Sequence, residues 1–412
     1  MRVLVIGNGI AGINVAQALS AHRDIELTVV GEESSPFYSR VRLPEVLSGR
    51  AQPDDIIFYK PEWYEKKGFS VQTGCRVLSI DRNSHTAFLS DGRTLDWDRL
   101  VLATGASSNR PSVNGFNLPG VFTLRTLQDV QALRASVLQH PDSAAVIGGG
   151  LLGLEAARSL KDAGASSVRV FELFPRLLPR QLDETGASLL KARFEAMGIE
   201  IVLGAETDAI LPAAGETGPR AGSLRLKDGR AFPADTVLLS MGVHSNTDLA
   251  GHAGLQTGRG IIVDSSMRTS DPSIFAAGDC AEFEGIVWGI IPAALEQAPV
   301  VAKTILSDAG LLSAESVSLY TQTVPKTALK VADIELLSTG KVVLTPEEEA
   351  AQHYRIISRV WQDGTRYEKF VVNNETGVLS GAIIYGSRTN QSAIQKLLGQ
   401  KTDDEVLNSF LQ

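Results

Sequence analysis

The chain has 412 residues, 43% hydrophobic and 21% charged, with a formal net charge of −8. That length predicts two or three domains, and the acidic balance argues against general binding to nucleic acid or anionic membranes. No apolar run approaches a bilayer span, and two distant cysteines, Cys75 and Cys280, with six scattered histidines offer neither a disulfide framework, an iron–sulfur cluster nor a metal site.

The first expected element is a buried strand over Val3–Ile6, which leaves no room for a signal peptide before it and makes a cytoplasmic location the default expectation. Gly7, Gly9 and Gly12 follow with GxGxxG spacing, and a helical pattern then runs through Ile13, Ala16 and Leu19. In such a turn the first glycine permits the tight bend, the second lets a pyrophosphate approach the backbone, and the third lets helix and strand pack closely. The helix N-terminus presents unpaired N–H groups to the phosphates. Glu32 stands twenty residues past Gly12, after the strand "IELTVV", where a carboxylate can accept from ribose hydroxyls.

A hairpin is expected next, "FLSDGRTLDWDRLVLATG" from Phe88 to Gly105, built on an Asp-Gly-Arg turn. The whole pattern then recurs. "VIGGGLLGLE" brings Gly148, Gly150 and Gly153, and the strand "SVRVFE" ends at Glu172, nineteen residues past Gly153. A second hairpin, "RLKDGRAFPADTVLLSMG", ends at Gly242. One GxGxxG alone is a weak signal. Two, each with its strand, helix, acid and hairpin in matching order, read as one nucleotide-binding architecture written twice. Beyond them, "IFAAGDCAEF" is a buried strand followed by Gly278 and Asp279. From Ser316 onward, alternating apolar and polar residues and an Asn-Glu-Thr-Gly turn predict a small antiparallel sheet packed with the helix "NQSAIQKLLG".

The two glycine turns, the "ATG" of Ala103–Gly105 and the Gly278-Asp279 segment together resemble the FAD-dependent pyridine nucleotide oxidoreductases of glutathione-reductase fold. Within them the chain is most similar to NADH-dependent rubredoxin and ferredoxin reductases and to the NADH-oxidising domain of assimilatory nitrite reductases. The resemblance covers about residues 1–340. It implies an α/β fold with two Rossmann-like nucleotide-binding domains, the NAD domain inserted into the FAD domain, plus a small C-terminal α+β domain. The expected division is 1–109 with 244–315 for FAD, 110–243 for NAD, and 316–412 for the C-terminal unit, a subunit interface or docking face that leaves a homodimer open.

The resemblance also implies roles. Gly7, Gly9, Gly12 and Glu32 match FAD pyrophosphate and ribose positions, and Arg40 in "FYSRVRL" matches a residue beside the FAD phosphates or adenine. Val77 matches a backbone contact to adenine, Thr104 and Gly105 belong to the flavoprotein "ATG" motif, and Arg125 matches an arginine that reaches FAD. Gly278 and Asp279 match the ribityl site, and Ile291 in "IIPAALEQA" matches a neighbour of the flavin ring. Gly148, Gly150, Gly153, Glu172 and Gly242 fall to the NAD site, with Glu155 matching an acid near the nicotinamide. A 2′-phosphate at Glu172 would meet a like charge, so NADH is expected over NADPH, although Arg176 could offset this by pairing with the phosphate. His244 is left outside the site as an ordinary structural histidine.

Disulfide reductases of this fold keep a CxxxxC near the flavin, but "PFYSRVRLPEVLSG" contains no cysteine. No thiolate is available there for relay chemistry. Where many relatives carry a lysine that pairs with the acid matched by Glu155, this chain has Glu45. The expected function is therefore electron transfer from NADH through FAD to a separate small redox protein, with the flavin as the redox centre and no metal. The docking rim is expected to include Arg40, Arg42 and Arg50. The alternatives are an NADH oxidase or quinone or other small-molecule reductase, and, in another class, a low-turnover FAD- and NAD-binding redox sensor or scaffold.

Overall fold

The computed structural model describes residues 1–111, 113–214, 219–323, 328–331 and 333–412. The expected stretch "YTQTVPKTALKVADIELLSTGKV" lies partly outside them, at 324–327 and 332. The fold is α/β, and its two Rossmann-like units repeat one design. In the first, the parallel sheet runs Ile274–Ala276, Arg99–Leu102, Arg2–Ile6, Glu26–Val30, Ser70–Gln72. In the second it runs Val121–Phe122, Thr236–Leu239, Ser143–Ile147, Ser167–Glu172, Ile199–Leu203 in the same spatial order. Their central strands are almost wholly apolar and buried, as strands covered on both faces must be.

Each unit carries a three-stranded antiparallel meander, Val77–Asp81, Thr86–Leu89, Thr94–Asp96 and Thr207–Pro212, Ala221–Leu226, Ala231–Pro233. The repeated Asp-Gly-Arg turns are chemically identical. Asp91 accepts from the Arg93 N–H and guanidinium, and Asp228 does the same for Arg230. Gly92 and Gly229 hold φ of +85° and +89°, which the turn demands and an L side chain resists. The chain passes between the units twice, through strands Ala106–Ser108 and Val243–Ser245, which pair antiparallel.

The C-terminal sheet has five antiparallel strands, ordered Ala328–Val331, Ile334–Gly340, Leu379–Tyr385, Tyr367–Asn373, Tyr354–Val360, with helices Gln391–Leu397 and Asp404–Phe410 against one face. The alternation in the sequence implies one solvated face. Instead Tyr367–Val372 is buried at every position. Phe370, Val372 and Ile384 pack towards Ile394 and Leu407, whereas Tyr367, Ile383 and Tyr385 share a core with Leu177, Leu178 and Leu182 of the second unit. Covering both faces also buries Glu368 and Lys369.

Candidate functional site

The two glycine turns show what each glycine is for. A Cβ on Gly7 would lie 2.0 Å from the Ala103 carbonyl oxygen, and one on Gly12 would lie 1.9 Å from that of Gly7. In the second turn the corresponding distances are 2.2 Å from Gly148 to Ser240 O and 2.0 Å from Gly153 to Gly148 O. The first and third glycines are therefore required by the protein's own backbone. A Cβ on Gly9 or Gly150 would meet no non-neighbouring atom within 4 Å. These two are the N-caps of helices Ile10–Leu19 and Leu151–Asp162, and neither helix has a side-chain cap. A space that a Cβ would partly fill, facing uncapped N–H groups, fits a bound pyrophosphate at both turns.

The acids differ. Ile6 pairs with Val30 and Ile147 with Phe171. The residue following each is Gly31 in the first unit and Glu172 in the second, so Glu32 stands one residue beyond the counterpart of Glu172. Glu172 is buried; its Oε2 accepts from the Gly149 N–H at 2.7 Å and its Oε1 from Phe174 N–H at 2.8 Å. Glu32 is exposed, 3.7 Å from Arg76. The spacings of twenty and nineteen residues from the third glycine carry the same one-residue offset, and the register shows what it does to each side chain.

Around the first turn the structure gathers Arg40, Arg125 and Asp279. Arg125 Nη2 meets Asp279 Oδ2 at 2.6 Å, and its Nε donates to Ala106 O at 3.0 Å. Arg40 donates to Arg125 O at 2.7 Å and to the Tyr38 hydroxyl at 2.9 Å, and pairs with Glu33. Tyr38 itself donates to Glu33 Oε2 at 2.5 Å. Burial pushes the Tyr38 phenol well above its ordinary value, so it remains a donor at neutral pH. Gly278 holds φ +83° with its Cα side against Ala11, where a Cβ would approach to 2.8 Å. This brings the residue before Asp279 onto the first helix. Gly278 N–H donates to Gln297 Oε1 at 2.7 Å.

Thr104 and Gly105 are pinned by Asn246. The Thr104 hydroxyl donates to Asn246 O at 2.8 Å, the Asn246 amide to Thr104 O at 2.8 Å, and the Asn246 N–H to Gly105 O at 2.9 Å. Gly242 O accepts from Asn109 N–H at 3.0 Å. Val77 is buried in its meander strand, and Ile291 opens helix Ile291–Asp308, 39% exposed. Glu155 is half-buried on Leu151–Asp162, and Glu45 is paired with Arg42 at 2.8 Å. His244 meets Asn109 Oδ1 at 2.9 Å and is exposed.

Asn246, Gln297, Tyr38 and Glu33 were not singled out by the sequence. Asn246, Gln297 and Tyr38 act through bonds to Thr104, Gly278 and the Leu127 N–H that no local spacing announces, whereas Glu33 meets Tyr38 and Arg40 five and seven residues on. Asn8 Oδ1 is buried with no partner among the described residues, a further free acceptor at the first turn. The expected basic rim is largely neutralised: Arg40 and Arg42 are in ion pairs, and among the described residues Arg50 is hydrogen-bonded to Ser48 and makes no ion pair. Both cysteines are buried and free. Cys280 donates to Leu102 O at 3.3 Å, and burial pushes its thiol up, away from the reactive thiolate. Among the described residues no helix is long and apolar enough to cross a membrane, and no group of three or more His, Cys, Asp or Glu is placed to hold a metal ion.

Known proteins carry the same architecture. The family profile for pyridine nucleotide-disulphide oxidoreductases matches residues 1–304, and that for the rubredoxin NAD+ reductase C-terminal domain matches residues 325–402. The assimilatory nitrate reductase electron transfer subunit of Bacillus subtilis (strain 168) is 36% identical over 97% of this chain and 49% of its own length. Rubredoxin-NAD(+) reductase of Pseudomonas putida is 32% identical over 74% of this chain and 80% of its own. The ferredoxin reductase for the CYP199A2 system from Rhodopseudomonas palustris superposes with a TM-score of 0.82 at 29% identity, covering 98% of this chain and 96% of that one. The chain spans about half the length of the first curated relatives it matches. With most of its length matched by the first profile, the chain belongs to the pyridine nucleotide-disulphide oxidoreductase family.

Proposed function

We propose that this protein passes electrons from NADH through FAD to a separate small redox protein of the rubredoxin or ferredoxin type, without a protein thiol. The observation that carries the reading is the pair of open, uncapped glycine turns, one beside the Arg125–Asp279 pair and the other closed by the buried Glu172. Bound FAD would accept a hydride as two electrons and release them singly, chemistry that belongs to the cofactor. The chain's own residues bind and orient. Gly7, Gly9, Gly12 and the N-terminus of Ile10–Leu19 receive the FAD pyrophosphate. Asp279, held by Arg125 and backed by Gln297 behind Gly278, offers its free lone pairs to the ribityl hydroxyls. Gly148, Gly150, Gly153 and Glu172 receive NADH, with Glu172 accepting from the ribose.

The division into an FAD unit (1–109 and 244–315), an inserted NAD unit (110–243) and a C-terminal unit (316–412) is supported by the repeated sheets and by the crossing at Ala106–Ser108 and Val243–Ser245. The absence of cysteine from residues 36–49, together with the burial of Cys75 and Cys280, supports the thiol-free route. The names of the relatives support the acceptor class. The same reading makes this a cytoplasmic enzyme.

The test is direct. The purified protein should be yellow with one noncovalent FAD per chain. Anaerobic NADH should bleach it, and rubredoxin or ferredoxin should reoxidise it faster than quinone or oxygen. Protein without flavin, or flavin that NADH leaves oxidised, refutes the reading. Faster reoxidation by quinone or oxygen replaces the acceptor.

A further inference from the structure

The segment after Glu172, residues 173–183, has features its own sequence does not explain. Leu178 is buried with φ +48°, a left-handed conformation that non-glycine residues keep only when their surroundings impose it. Arg176 Nε is buried with no partner among the described residues. The segment also reaches the second glycine turn. A Cβ on Gly149 would stand 2.8 Å from Leu177 Cδ2 and 2.9 Å from Glu172 Oε2. Leu177 and Glu172 thus flank the turn together.

What imposes this conformation comes from the C-terminal sheet. Ser338 Oγ donates to the Gln181 carbonyl at 2.7 Å. The Tyr367 hydroxyl and the Lys369 ammonium both donate to Asp183 Oδ2, at 2.7 Å and 2.9 Å. Lys369 also donates to Val342 O at 3.0 Å, and its side chain is only 7% exposed. Asp183 in turn caps helix Glu184–Ala196 by accepting from Gly186 N–H at 3.0 Å. An ion pair buried this far gains little net stability, since desolvation offsets most of the attraction. It does fix geometry, because any displacement leaves a buried charge unpaired.

We propose that the C-terminal sheet is a positioning element for NADH: Ser338, Tyr367 and Lys369 clamp the strap of residues 173–183, and the strap holds Leu177 and Glu172 against the second glycine turn. The proposal rests on reading that turn as the NADH site. It gives the C-terminal unit a role within a single chain, independent of any subunit interface. Loosening the clamp should weaken NADH binding and leave the flavin side untouched.

The test uses the full-length, FAD-loaded protein. The double variant Asp183→Asn, Lys369→Met removes both buried charges and keeps a capping acceptor. Its KM and Kd for NADH should rise about tenfold. Its kcat with ferricyanide and its FAD content should stay within about twofold of the parent, the signature of lost ground-state binding. Ser338→Ala, which disturbs no charge, should raise KM about threefold. It decides the matter alone if the double variant does not fold. Unchanged NADH affinity in the folded variants overturns the proposal, as does a fall in kcat or FAD content matching the rise in KM. Gly150→Val, which fills the turn itself, separates the two levels. If it leaves NADH binding intact, the assignment of the turn has failed. If it abolishes binding while the clamp variants bind normally, only the clamp is refuted.

Discussion

The first and second glycine turns solve one packing problem in opposite ways. In the first, Asn8 supplies a side chain on the loop and Gly31 clears the strand end; a Cβ on Gly31 would come within 2.8 Å of Asn8 Cβ. In the second, Gly149 clears the loop and Glu172 supplies the side chain. Each turn has room for one side chain between loop and strand end. When that side chain is Glu172, its carboxylate is bonded to the turn's own N–H and is fixed before a nucleotide arrives. When it is Asn8, the acid that follows Gly31, Glu32, is left outside on the surface. On the proposed assignment of the two turns, the second is the better preorganised to recognise a ribose, and the first would draw its selectivity from elsewhere, chiefly Arg125 and Asp279.

The largest expected effect tests the shared part of the comparison. Gly12→Ala places a methyl group 1.9 Å from the Gly7 carbonyl oxygen and should cost about 4 kcal/mol or more, enough to prevent folding. Gly9→Ala meets no protein atom and should change stability by less than about 1 kcal/mol, yet it should lower FAD affinity strongly by crowding the pyrophosphate. Thermal melts and flavin content measured on both variants check the contrast. Equal effects of the two would break the division of labour among the glycines.

Glu172→Ala comes next. It leaves the Gly149 and Phe174 N–H groups without their acceptor and removes the charge that opposes a 2′-phosphate. NADH KM should rise about tenfold, and the preference for NADH over NADPH should shrink by about tenfold or more. Glu32→Ala should change FAD retention by less than about threefold, because an exposed acid contributes little. A larger loss from Glu32→Ala than from Glu172→Ala, each on its own nucleotide, would reverse the comparison.

Asp279→Ala removes the partner of Arg125 and should weaken FAD binding about tenfold, as read by flavin release on dilution. A smaller effect is expected from pH. Burial pushes the Asp183 carboxyl up, but the Gly186 N–H, Tyr367 hydroxyl and Lys369 ammonium outweigh it and hold it below its ordinary value of 3.8. The stability this contributes is complete above that ordinary value and is lost as the pH falls through the lower folded value. Melting temperatures of the parent and of Asp183→Asn should therefore differ by a constant amount at neutral pH and converge in acid. The smallest effect is reserved for Cys75→Ala, Cys280→Ala, which should leave NADH-driven reduction of the acceptor within about twofold. Loss of turnover with FAD retained would restore a thiol to the mechanism.

The sequence by itself determined the duplicated architecture. Apolar strand, glycine turn, helix, acid and Asp-Gly-Arg hairpin are local patterns whose physics lies within a few residues: φ above zero at Gly92 and Gly229, close approach at Gly7 and Gly148, apolar strands buried on both faces. These cannot be satisfied in many other ways, so they are legible without coordinates. What only the tertiary structure decided is everything that depends on strand register and on pairing at a distance. The offset between Glu32 and Glu172 is one residue, twenty against nineteen in spacing, but that it leaves Glu32 exposed and Glu172 buried against the turn is decided by the register. The Asn246 pin on Thr104 and Gly105 and the second buried face of Tyr367–Val372 join residues more than a hundred positions apart, whereas the neutralised Arg40 and Arg42 pair only seven and three residues away. An alternating strand specifies only that one face is buried. It was the approach of residues 177–183 that covered the other face, and burial there required that Lys369 and Asp183 meet.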